Sequence, residues 1–174
     1  MNSHQVGVAA EAFAACILSQ AGCDVSIQYG ANRPGYDVVA LASLNGKESA
    51  ILISVKGTKE NGWGLIQSYK IAGRTYAEAA DAWLAQQRED IIFMLISFYE
   101  VKLETLPRAY LASAKEIADH HKASRGGEGH TSLCEDRIYT KGVAKGVRDQ
   151  IPSAWKFSRP RLDSFLAKPN TAKV

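Results

Sequence analysis

No stretch of this chain approaches the roughly eighteen consecutive apolar residues that a membrane-spanning helix requires. The first twenty residues lack a basic leading segment and carry Glu11 inside their apolar pattern, so no export signal is expected there. Cysteine is scarce as well. The three present, Cys16, Cys23 and Cys134, form no C-x-x-C pair, which argues against both a disulfide framework and a zinc site and places the expected setting in the reducing cytoplasm. There is no internal repeat and no low-complexity tract. Four histidines show no metal-ligand spacing: His120 and His121 read as a capping or solvated pair, and His130 stands alone in a glycine-rich stretch.

What remains is a chain of 174 residues, 46% apolar and 22% charged, long enough to bury a real core as one α/β unit. One domain is expected over residues 1–168, followed by a tail at 169–174. The net charge of +3 is unevenly spread: residues 138–174 hold eight Lys or Arg against two Asp or Glu, leaving −3 for the rest. That basic end reads equally as a polyanion-facing surface or as the solvated face of a last helix.

Periodicity predicts the elements. Val6, Ala9, Ala10, Phe13, Ala14, Ile17 and Leu18 recur at helical spacing over residues 5–20, and with Glu11 as its only charge that helix is expected to be covered on most sides. CDVSIQYG reads as a short strand ending at the breaker run 30–35. YDVVALAS and residues 50–55 read as strands joined by a tight turn at Asn45-Gly46. A third strand is expected over 63–69 and a helix over 76–87. DIIFMLISFYEV has the look of a central strand buried on both faces, with 108–111 as its neighbour. Ser113 followed by Glu116 predicts an N-capped helix over 114–122. Residues 124–132 read as a mobile loop, 136–139 as a short strand and 159–166 as a closing helix. The fold class is therefore α/β, a central mixed sheet with helices on both faces. Trp63 and Trp83 read as core, while Trp155 reads either as the anchor of the last helix or as a stacking platform for a base.

One strand carries chemistry. Alternation sends Leu52, Ser54 and Lys56 to one face and Ile51, Ile53 and Val55 to the other, and Asp37 opens the preceding strand, so an acid and a lysine converge on one sheet end. Taken singly, Lys56 reads as a snorkelling strand-end lysine, Asp37 as a turn acid and Glu11 as a helix carboxylate bonded to backbone donors. Their order is more specific. GVAAEAFAACILSQAGCDV, RPGYDVVAL, a hairpin and ILISVKGT together resemble the PD-(D/E)XK nuclease superfamily, the restriction-endonuclease-like fold.

That resemblance implies a metal-dependent DNA endonuclease-like protein. Asp37, Glu11 and the Val55 carbonyl would hold Mg²⁺, with Mn²⁺ as a substitute, and Lys56 would stabilise developing charge or help deprotonate a water. Lys59, Lys70 and Arg74 would meet the phosphate backbone. A homodimer would suit cutting both strands of a duplex. The sequence departs from the family where the strand acid should stand: Ser54 is a neutral, weak ligand. Some restriction enzymes of this fold share that serine and recruit a helix carboxylate, for which Glu60, Glu78 and Asp81 are the candidates here. The alternative is a catalytically inactive nuclease-fold module that binds nucleic acid or a protein partner. Gly57 is expected to let the chain leave the strand and the backbone approach a ligand.

Overall fold

The structure, a computed structural model, describes residues 1–28, 35–44 and 46–167. The expected tail at 169–174, most of the breaker run and Asn45 of the predicted turn lie outside the described residues. Helix α1 spans Ser3–Gln20 and opens on a reciprocal cap, in which Gln5 N donates to Asn2 Oδ1 at 2.9 Å and Asn2 N donates to Gln5 Oε1 at 2.8 Å. It buries only the stripe Val6, Ala10, Ala14 and Leu18. The expectation of cover on most sides fails: Val8 is 54% exposed and Cys16 is exposed too. The helix is poor in charge because alanine fills it, and alanine leaves little side chain to cover.

Strands β1 (Asp24–Ile27), β2 (Val38–Leu44) and β3 (Lys47–Thr58) form an antiparallel meander. Leu44 pairs with Lys47 across the hairpin, and Gly46 adopts the positive φ of 77° that such a tight turn demands. β3 outruns its predicted limits at both ends, so Lys56 and Gly57 lie inside the strand and Gly57 provides no exit from it.

The predicted strand at 63–69 is mostly absent. β4 comprises Gly62–Trp63 alone, and a 3-10 turn follows at Gln67–Tyr69. Trp63 and Ile66, the two buried side chains here, are three residues apart, which is the spacing of a turn and not of a strand. Helix α2 (Tyr76–Leu84) and helix α3 (Ala114–Ala123) each open on a capping box, Thr75 with Glu78 and Ser113 with Glu116. Between them run β5 (Ile91–Ser97), buried along its whole length, and β6 (Arg108–Ser113). β7 (Leu133–Cys134) pairs with β4, β8 (Asp136–Ile138) pairs with β9 (Arg148–Gln150), and α4 (Arg159–Leu166) closes the chain.

The main sheet has the order β1-β2-β3-β5-β6 and is mixed, because β3 and β5 run parallel while every other pair is antiparallel. α1 and α4 pack Ala14, Leu18, Leu162 and Phe165 on Val38, Ile53 and Val55. α2 and α3 pack Ala80, Trp83 and Ile117 on the opposite face with Phe93 and Leu95, alongside Trp63. Trp155, 5% exposed, belongs to this second core with its ring 5.5 Å from that of His120. It anchors the final segment and offers no platform to a base.

Residues 124–132 also differ from the reading as a mobile loop. Gly129 N donates to Ser124 O at 2.8 Å, His130 N to His121 O at 3.2 Å, and Ser124 is buried. The glycines there serve a packed turn. No helix among the described residues is long and apolar enough to cross a membrane.

Candidate active site

Glycine at position 57 sets how close α1 comes to β3. A Cβ there would lie 2.8 Å from Ala10 Cβ and 2.9 Å from both Val6 Cγ1 and the Val6 carbonyl, so only hydrogen fits beneath the helix. That approach seats Ala10, the neighbour of Glu11, against the end of β3, and Glu11 feels the charges of both Asp37 and Lys56.

Asp37 extends β2 by one rung, its N–H donating to Ile53 O at 2.8 Å. Its side chain then turns onto β3. Oδ2 accepts from Val55 N at 2.6 Å and from Ser54 Oγ at 3.3 Å, and it lies 4.0 Å from Lys56 Nζ. Oδ1 has no partner among the described residues. Because the N–H and C=O of one strand residue face the same side, the Val55 carbonyl also looks toward the edge where Asp37 sits. Trp63 Nε1 donates to Lys56 O at 2.7 Å and fixes the strand beneath the lysine. The Lys56 and Asp37 side chains keep 42% and 31% of their surface, so the pair is open to solvent while Ser54, 4% exposed, is closed off below it.

Glu11 completes the cluster electrostatically. Burial pushes its carboxyl above the usual range, and the nearby Asp37 charge pushes the same way, against pulls from Lys56 and His4. Three of the sequence-predicted residues, Asp37, Ser54 and Lys56, are thus in contact or near-contact, and Glu11 lies within their field.

Among the described residues no recruited carboxylate joins Asp37. Glu78 Oε2 accepts from Thr75 N and Oγ1 at 2.7 and 2.9 Å, Asp81 pairs with Lys122, and exposed Glu60 bonds through its main chain to Thr58. Among the described residues no group of three or more His, Cys, Asp or Glu is placed to hold a metal ion. Lys59 is exposed, Lys70 lies over the Tyr76 ring at 5.2 Å, and Arg74 Nη1 donates to Tyr69 O at 3.0 Å; among the described residues none of them bonds to Asp37 or Lys56.

Sequence reasoning missed a second polar centre on the same sheet face. Lys56, Leu95 and Tyr110 form one cross-strand row, and the next row is Thr58, Ser97 and Arg108. Glu135 caps it, accepting from Arg108 Nε at 2.6 Å, Arg108 Nη2 at 2.8 Å, Tyr110 Oη at 2.7 Å and Ser97 Oγ at 2.7 Å. Burial raises the Glu135 carboxyl, but these donors, Arg108 first, outweigh it and hold it below the usual range. Burial, then the Glu135 bond, drives the Tyr110 phenol upward. A cleft of about 770 Å³ opens beside this network and is not lined by Asp37, Lys56 or Glu11. The signal was faint: polar Arg108 and Tyr110 alternate on a strand next to a fully buried one, but nothing local names Glu135 as their partner.

No family model, curated protein or solved structure matches this chain.

Proposed function

We propose that this protein acts on the phosphodiester backbone of DNA as a metal-dependent endonuclease-like enzyme, with Asp37, Lys56 and Glu11 as the working residues. The observation that carries the reading is the meeting of Asp37 and Lys56 at 4.0 Å on an open sheet end, with the Glu11 carboxyl within the electrostatic reach of both. The order of a mixed sheet whose third strand bears both the serine and the lysine supports it as well. Asp37 Oδ1, Glu11 and the Val55 carbonyl are the oxygens suited to a hard divalent cation, and Mg²⁺ or Mn²⁺ bound there would supply charge neutralisation at the scissile phosphate. With two carboxylates the affinity would be weak, since it follows ligand charge. Lys56, positively charged and half exposed, places its ammonium beside the anion that develops during phosphate hydrolysis. Ser54 holds Asp37 in its rotamer.

A second reading keeps the fold without the catalysis, as a module that binds nucleic acid or a protein. It is favoured by Asp37 Oδ2, which is already occupied by Val55 N–H and Ser54, and by the lack, among the described residues, of a third carboxylate placed to hold a metal ion. Purified protein incubated with Mg²⁺ or Mn²⁺ should nick supercoiled plasmid, and both Asp37→Ala and Lys56→Ala should abolish nicking. Nicking that survives both substitutions would sink the assignment; no nicking, together with no heat of Mg²⁺ binding with or without DNA, would select the inactive module.

A further inference from the structure

Among the described residues, the acid-free stretch that carries the most cations is the β8–β9 hairpin. Residues 137–148, RIYTKGVAKGVR, contain Arg137, Lys141, Lys145 and Arg148 and no acid. The acids that border it are turned away from solvent or paired. Asp136 takes both arms of the Arg148 guanidinium, at 2.7 and 2.5 Å, and Asp149, 7% exposed, accepts from Arg125 N at 3.0 and 3.1 Å and from Tyr139 Oη at 2.7 Å. Arg137, Lys141 and Lys145 are exposed and form no ion pair among the described residues. The hairpin tip is built and not frayed: Tyr139 N donates to Val147 O at 2.9 Å, Gly146 N to Tyr139 O at 2.8 Å, and Ala144 is 2% exposed.

At the base of the hairpin, cations and rings alternate. Lys70 lies 5.2 Å from the Tyr76 centroid, Arg125 lies 6.0 Å from Tyr76 and 5.7 Å from Tyr139, and Arg137 lies 5.7 Å from Tyr139. Arg125 holds its place between the rings with a left-handed backbone, φ 56°, a conformation that asparagine or glycine would adopt at lower cost. Each ring in this ladder is engaged by two cations, so the tyrosines space positive charge along a line and do not present faces to unstacked bases.

We propose that the β8–β9 hairpin and this ladder together form a docking surface for the phosphate backbone of duplex DNA. The acid-free run of the hairpin meets a polyanion, while at its base Arg125 is paired with Glu128 at 3.7 Å and serves to hold the ladder; the occupied rings disfavour stacking of single-stranded bases, and a two-stranded ribbon matches the width of a major groove, about 12 Å. The proposal deepens the nucleic-acid part of the reading above and names the form of the substrate.

The test measures binding of a fluorescent duplex of about 20 base pairs by anisotropy across a KCl series in EDTA, where cutting does not interfere. Replacing both Lys141 and Lys145 by Ala removes two exposed cations without touching a core contact. It should weaken binding severalfold and lower the slope of log K against log salt by about 2. The same change at exposed Lys47 and Lys102, elsewhere on the surface, should leave the slope within about 0.5 of the wild type. An unchanged slope in the hairpin variant overturns the proposal, as does tighter binding of a single strand than of the duplex, or equal capture by phosphatidylserine vesicles. The two readings fail separately: plasmid nicking with an unaltered hairpin slope removes the surface and keeps the enzyme, whereas hairpin-dependent duplex binding without nicking keeps the surface and removes the enzyme.

Discussion

Replacing Gly57 by Ala tests the close packing of α1, the helix that carries Glu11, on β3. The added methyl would meet Ala10 Cβ at 2.8 Å and Val6 Cγ1 and O at 2.9 Å, where carbon atoms normally rest about 3.5–4.0 Å apart. One of those atoms is backbone and another is a Cβ, so no rotamer change relieves the clash, and α1 must lift from β3. Overpacking of this kind costs about 1–3 kcal/mol, against which the stiffer unfolded chain returns about 0.4–1 kcal/mol. A net loss of about 1–2 kcal/mol is expected. Gly7 in the same helix is the control, because a Cβ there meets nothing within 4 Å and alanine in a helix interior stabilises by about 0.5–1 kcal/mol. Urea unfolding followed by circular dichroism measures both. Equal stability of Gly57→Ala and the wild type, or movement of both variants in the same direction, would refute the claim that hydrogen alone fits between helix and strand.

Glu135→Ala should cost about 1–3 kcal/mol, since it removes the acceptor of the Tyr110 phenol and the fully buried Ser97 hydroxyl, while half-exposed Arg108 keeps its bond to Tyr99 O; denaturant midpoints check it, and no measurable loss would show the network to be dispensable. Ser113→Ala removes the oxygen that caps Glu116 N at 3.3 Å and should lower stability by about 1 kcal/mol in the same assay. His121, fully buried with Nδ1 donating to His130 O at 2.8 Å, has its pKa lowered by burial from 6.5 to about 4. The unfolded chain then binds a proton that the folded one refuses, so stability is intact above pH 6.5 and falls progressively to about pH 4, by on the order of 3 kcal/mol. Melting temperatures of His121→Gln that keep the wild-type pH dependence across this window would contradict the assignment.

Local chemistry made most of the elements legible. Apolar spacing announced α1, β5 and α4, Ser113 with Glu116 announced the start of α3, and Gly46 marked the hairpin, because each of these signals acts within a few residues of chain. Alternation alone paired Ser54 with Lys56 on one face, and the structure keeps them there, beside Asp37. Where the reading failed, long-range packing had decided the outcome. Trp63 and Ile66 are held by β7 and the second core, so the strand expected at 63–69 shrinks to two residues. The loop at 124–132 is gathered by His121 and Asp149, residues that are remote or on another element.

The sequence by itself determined the α/β class, the capped helices and an acid and a lysine aimed at one sheet end, since propensity and period two or 3.6 need no distant partner. Only the tertiary structure decided how near α1 stands to β3, that Asp37 Oδ2 is taken by the Val55 N–H, that no third carboxylate among the described residues joins it, and that Glu135 neutralises Arg108. Those are contacts between residues far apart in the chain, set by which faces must be buried together. One sequence position shows the division plainly. Gly57 looks like a strand exit when read along the chain, and in three dimensions it is the gap that lets a helix close onto the strand.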